Sequence, residues 1–136
     1  MDLDISSFSK AVERLSEGLE ELGQYPELSS IRDGVIQRFE FTYELAHKTL
    51  RRYLSMSVAS KKEIDEMAFP DLIRTGNEQG LLLSDWPVWK SYRQSRNDTS
   101  YAYDEEKAQR VMDKIPAFLK DSRFLLEQLQ KRIGKT

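Results

Sequence analysis

Cysteine is absent from the 136 residues, which excludes disulfides, thiolate metal sites and cysteine nucleophiles, and fits a reducing compartment. Histidine occurs once, as His47, so neither a multi-histidine metal site nor a Ser-His-Asp set with a spare imidazole is available. An excess of positive charge is also missing. Lys and Arg number 21 against 23 Asp and Glu, for a net charge of −2. The chain therefore lacks the overall basic field of a nonspecific nucleic-acid binder, and any RNA contact has to be local. No apolar run approaches the roughly 18 residues of a membrane span, and the start, MDLDISSF, has neither a basic nor an apolar leader region. The expectation is a cytoplasmic protein with no membrane contact. Glycine-rich phosphate loops and His-Glu metal motifs are missing as well, so neither a cofactor nor a metal is expected.

What the chain does have is a helical period. Phe8, Val12, Leu15, Leu19 and Leu22 recur at three- and four-residue steps after serines able to cap, and Gly23 suits a stop. From Leu28 to about Leu54, Ile31, Val35, Phe39, Thr42, Leu45 or Ala46, Thr49 or Leu50, and Tyr53 keep to one face of a long second helix. SMSVASKKEIDEMAF reads as a connection, and Pro70 opens a short helix that ends near Gly80. Ser84 or Asp85 can cap a fourth helix whose Trp86, Trp89 and Tyr92 or Arg93 share a face, and which lapses at Asn97. Asp104, followed by Glu105 and Glu106, starts a fifth, which Pro116 should kink one turn back. No segment alternates with the two-residue period of a strand, and no repeat appears. The expected fold is all-α, a single domain over residues 1–136 built as an up-and-down antiparallel helical bundle of four to five helices.

Several residues invite a chemical reading that a structural one outweighs. His47 sits mid-helix with no partner at ligand spacing, which points to a structural or surface role. Glu40 and Glu44 can share a face, but Glu44 with Lys48 is an ordinary helix ion pair, so a solvated face is expected. Trp86 and Trp89 suit a core or a dimer seam better than base stacking. Arg51, Arg52, Arg93 and Arg96 form a local phosphate-binding surface only if the second and fourth helices are neighbours.

The stretches IQRFEFTYELAHKTLRRYL (36–54), the Pro70 helix with GLL (80–82), and DWPVWKSYRQSRNDTSYAYDEEKA (85–108) resemble the nucleotidyltransferase substrate-binding protein family, a branch of the HEPN superfamily. The resemblance implies a helical bundle that forms a homodimer and pairs with a separate minimal nucleotidyltransferase, in modules of toxin-antitoxin type. It also implies a ribonuclease motif of Arg, four residues, His, one residue and Tyr, whose tyrosine receives AMP from the transferase in some pairs. Carried onto this chain, the arginine is Arg96, the polar residue after it Asn97 and the final tyrosine Tyr103. The histidine position holds Tyr101. Arg93, one turn before Asn97, joins it as an expected substrate contact.

That one departure matters chemically. Metal-independent RNA cleavage by a 2′-hydroxyl needs a proton acceptor, a proton donor and a cation beside the phosphorane, and an imidazole serves either proton role near neutrality. Phenols ordinarily ionise near pH 10, so tyrosine is a poor base at pH 7, although it can donate a hydrogen bond. The chain also lacks the Gly-Ser turn and the strand-borne aspartate pair that would make it the transferase. Two expectations follow. The first is a helical partner that binds or presents a substrate, Tyr103 included, to a minimal nucleotidyltransferase. The alternative is an endoribonuclease toxin in which Arg96 and Tyr101 do the catalysis.

Overall fold

The structure, a computed structural model, describes residues 3–134. Its elements are α1 (Ser6–Gln24), α2 (Ser29–Ser57), α3 (Lys61–Asp65), α4 (Phe69–Glu78), α5 (Trp86–Asp98), a 3-10 turn (Thr99–Tyr101) and α6 (Glu105–Ile133). The described residues contain no strand, and no helix among them is long and apolar enough to cross a membrane. The all-α expectation holds.

Helices α5 and α6 have acidic caps, because a carboxylate accepts from the unpaired N–H groups of a first turn and complements the helix dipole. Asp104 Oδ1 accepts from the N–H of Glu106 (3.0 Å) and Lys107 (3.2 Å), and Asp85 from that of Trp86 (2.7 Å). At α1 the N-cap is Ile5 and the expected serine cap is not formed; Asp4, one residue earlier, accepts through Oδ1 from both the N–H and the hydroxyl of Ser6.

Helices α1, α2, α5 and α6 form the bundle. In the α1–α2 pair the Arg38 guanidinium donates to the Arg14 carbonyl and Thr42 to that of Ala11, so one number falls as the other rises and the two run antiparallel. Gly18 permits this closeness, since a Cβ there would lie 3.2 Å from Val35 Cγ2. Between α2 and α6 the order is the same in both, with Arg32 on Glu105, Phe39 against Phe118, and Arg132 over Tyr53. These two are parallel, as alternate members of an up-and-down bundle must be.

The core is aromatic where α2, α5 and α6 meet. Phe118 lies edge-on to Phe39 (4.9 Å between ring centroids), Tyr92 (5.4 Å) and Trp89 (6.0 Å). Trp89 is thus a core residue, and Trp86 is half-buried edge-on to Phe69.

Two boundaries depart from the sequence reading. The stretch expected as a connection contains the five-residue α3, pinned by Arg51 from α2. Helix α2 continues to Ser57, beyond the expected Leu54. Helix α6 runs continuously through Pro116, which lies on the exposed face while Ile115 and Phe118 on either side are fully buried. Packing of those neighbours holds the turn that lacks the proline N–H.

Candidate functional site at the α5–α6 corner

Residues 96–104 turn the chain from α5 into α6. The 3-10 turn continues the last turn of α5, the N–H of Asp104 donates to the Tyr101 carbonyl (2.9 Å), and Asp104 then caps α6. With both ends fixed, the corner presents its side chains from a defined backbone.

Arg96 is the best-anchored of them. Its Nη1 lies 3.1 Å from Glu40 Oε2 and its Nε 3.2 Å from Glu44 Oε1. The Thr99 hydroxyl, within hydrogen-bond distance of both Glu40 Oε2 (2.9 Å) and the Arg96 carbonyl (2.7 Å), closes the ring. Glu40 and Glu44 are therefore not a bare solvated face, and Glu44 takes Arg96 instead of Lys48. Being i and i+4 on α2, both reach the same point on α5. One guanidinium between two carboxylates carries a net negative charge. A phosphate approaching this arginine therefore meets the repulsion of two carboxylates.

The two tyrosines are free. Tyr101 is 47% exposed and Tyr103 84%, with ring centroids 6.4 Å apart. Lys107 Nζ lies 4.2 Å from the centre of the Tyr101 ring, a cation–π contact that places a positive charge beside the corner. Asn97 is exposed on the last turn of α5, and the Arg93 guanidinium lies 5.8 Å from the centre of the Phe69 ring.

His47 does not stand in for the missing imidazole. Its ring packs against Phe69 (4.2 Å between centroids) and its Nε2 lies 3.1 Å from Arg51 Nη2. Burial first, and then the charge of Arg51, push its pKa down to about 4. The ring is neutral near pH 7, and because a guanidinium can only donate, Nε2 accepts and the proton sits on Nδ1.

Helices α2 and α5 are neighbours, as a four-arginine surface requires, and Arg51 and Arg52 line one cleft, but the four guanidiniums are held differently. Arg96 is held by carboxylates, Arg51 donates to the carbonyls of Ile64 and Met67 (both 2.8 Å), and only Arg52 and Arg93 are exposed. No group of three or more acidic or histidine side chains among the described residues is placed to hold a metal. The clamp of Glu40, Glu44 and Thr99 escapes a reading by sequence spacing, because its partners lie up to 59 residues apart.

Residues 3–131 match the family described as nucleotidyltransferase substrate binding protein like. The chain belongs to this family. Among similar proteins, one from Haemophilus influenzae described as a probable ribonuclease HepT is 43% identical over 99 residues, 73% of this chain and 67% of that protein. A solved Haemophilus influenzae structure, described as revealing the fold of a substrate binding domain of a nucleotidyltransferase, superposes with a TM-score of 0.87 at 33% identity. It covers 93% of this chain and 99% of the other. The substrate-binding family thus accounts for the whole bundle, and the corner 96–104 lies within the matched residues.

Proposed function

We propose that this chain is the helical partner of a separate minimal nucleotidyltransferase, in a pair of toxin-antitoxin type, and that it presents Tyr103 to that enzyme. The observation that carries this reading is the exposure of Tyr103, 84% accessible on a corner fixed at both ends. A nucleophile accepted by another protein has to protrude and yet be held in place. In the step proposed, the phenolic oxygen of Tyr103 attacks the α-phosphorus of ATP. The bond from that phosphorus to the bridging oxygen breaks, pyrophosphate leaves with the metal ions of the transferase, and the phenolic proton passes to a base of the transferase. Membership of a family named for nucleotidyltransferase substrate binding supports the partner.

Co-expression with a minimal nucleotidyltransferase, followed by affinity capture and mass spectrometry, tests both parts. The expected outcome is a co-purifying complex in which ATP and Mg²⁺ add AMP to the wild-type chain and not to Tyr103→Phe. A transferase that never co-purifies removes the partner reading. Undiminished labelling of Tyr103→Phe removes the site.

A second reading, as a ribonuclease, is favoured by the relative described as a probable ribonuclease. The corner supports it less well, since Arg96 is clamped and position 101 carries a phenol. We also infer a homodimer, because Phe41, 63% exposed on α2, and the two corner tyrosines leave aromatic surface open on a single copy. Sedimentation showing only a monomer of 15.9 kDa at micromolar concentration would remove that inference.

A further inference from the structure

A cleft of about 490 Å³ opens where α2 meets α3, with His47, Lys48, Arg51, Arg52 and Lys61 in its lining. Two acids, Glu44 and Asp65, line it too, so four cations face two carboxylates in a chain whose overall charge is −2. Both acids are engaged. Glu44 holds Arg96, and Asp65 lies 3.8 Å from Lys61. Asp4, which feels the charge of Arg52, is occupied by its two hydrogen bonds to Ser6.

The decisive group is Arg51. A guanidinium has five N–H donors and keeps its charge at all accessible pH values. Here Nη1 donates to the carbonyls of Ile64 and Met67, and Nη2 donates once to His47. The Nε–H and one Nη2–H have no partner among the described residues, and no carboxylate there lies within ion-pair distance of Arg51, Arg52 or Lys48. A fixed, half-buried positive charge met only by carbonyls and a neutral imidazole is poised for an anion. Lys48 and Arg52, four residues apart on α2, extend the same charge along one face.

We propose that this cleft binds the phosphate groups of a nucleotide. A guanidinium locked in one plane matches two oxygens of a phosphate, and the long, exposed side chains of Lys48 and Arg52 can reach its neighbours. The volume falls in the range of small-ligand sites, roughly 300–1,000 Å³. Met56, 38% exposed at the rim, offers apolar surface to a base. Free nucleotide and a single RNA strand present the same phosphate chemistry, and the choice of probes separates them. The site stands apart from Tyr103 and does not depend on its modification.

Calorimetry on the purified full chain at low ionic strength, with ATP, inorganic triphosphate and a single-stranded ribonucleotide decamer, tests the proposal. Binding of ATP and triphosphate is expected, weakened about ten-fold or more in Lys48→Glu/Arg52→Glu and by less than about two-fold in Lys120→Glu, an exposed control on α6. Tighter binding of the decamer, lost in the same double variant, assigns the cleft to a strand; binding of ATP alone assigns it to free nucleotide. Arg51→Lys, which keeps the charge but not the planar fork, is expected to weaken binding with the circular dichroism unchanged. Silence from all three probes up to about 5 mM overturns the proposal. So does equal weakening by the double variant and the Lys120→Glu control. The transferase is not in the cell, so neither result bears on the Tyr103 pairing.

Discussion

Arg96 and Glu44 are joined across 52 residues by a 3.2 Å contact between Nε and Oε1, and the same guanidinium reaches Glu40 at 3.1 Å. This pair of contacts fastens the end of α5 to the middle of α2. Each ion pair is partly exposed, so each is worth roughly 0.2–1 kcal/mol once screening is counted. Arg96→Ala should therefore destabilise the chain by about 1–2 kcal/mol, because it also leaves Glu40 and Glu44 facing each other unpaired. Adding Glu40→Gln and Glu44→Gln to Arg96→Ala should recover part of that loss. Urea denaturation midpoints measure it, and a triple variant no more stable than Arg96→Ala would contradict the clamp.

Asp121 is the second polar tie. It is buried on α6 and accepts from the hydroxyls of Tyr92 and Ser84 (2.8 Å), and burial with the nearby carboxylate raises the Tyr92 phenol well above its ordinary range. Replacing it strands the buried Tyr92 hydroxyl and frees that of the half-buried Ser84, at a cost of about 1–3 kcal/mol. Asp121→Ala should lose this much in thermal or urea unfolding, whereas Tyr92→Phe/Asp121→Leu, which removes most of the polar set together, should lose less.

His47 predicts a pH dependence. Its folded pKa is lowered to about 4, below the ordinary histidine value of 6.5, so between those values the unfolded chain holds a proton that the folded one does not. Stability therefore rises with pH through that window and is lost as pH falls from about 6.5 towards 4. The ring is only half-buried, so after discounting for solvent the loss is about 1–2 kcal/mol. His47→Gln should flatten this part of the stability curve. An unchanged slope in the variant would mean that carboxylates alone produce it.

The fold was legible where its signals are local. The stripe of Val35, Phe39, Ala46 and Leu50 on α2, and the cap Asp104 with its acidic first turn, are written within a few residues of where they act. Helix α3 was not, because five residues carry no period and its support is Arg51 bonding to Ile64 and Met67 from another element. The corner shows the same divide. The types and order of Arg96, Asn97, Tyr101 and Tyr103 are plain in the sequence, while the carboxylates that hold Arg96 come from α2 and become neighbours only after folding.

Tyr101 is the residue on which the ribonuclease reading turns. It is exposed at the corner beside Tyr103, where an imidazole would supply a base and an acid near pH 7. Tyr101→His should therefore raise cleavage of a single-stranded RNA above the wild-type level. The gain should be larger when Glu40→Gln and Glu44→Gln are added, since the freed Arg96 can then face the developing phosphorane charge. Arg96→Ala should abolish the gain, at a cost of about 3 kcal/mol in transition-state stabilisation. A time course of labelled RNA with the four purified chains, each checked for folding, gives the answer. Wild-type cleavage as fast as that of Tyr101→His would show that the phenol is no handicap, and an inactive but folded histidine variant would leave residues 96–104 as a surface for the transferase alone.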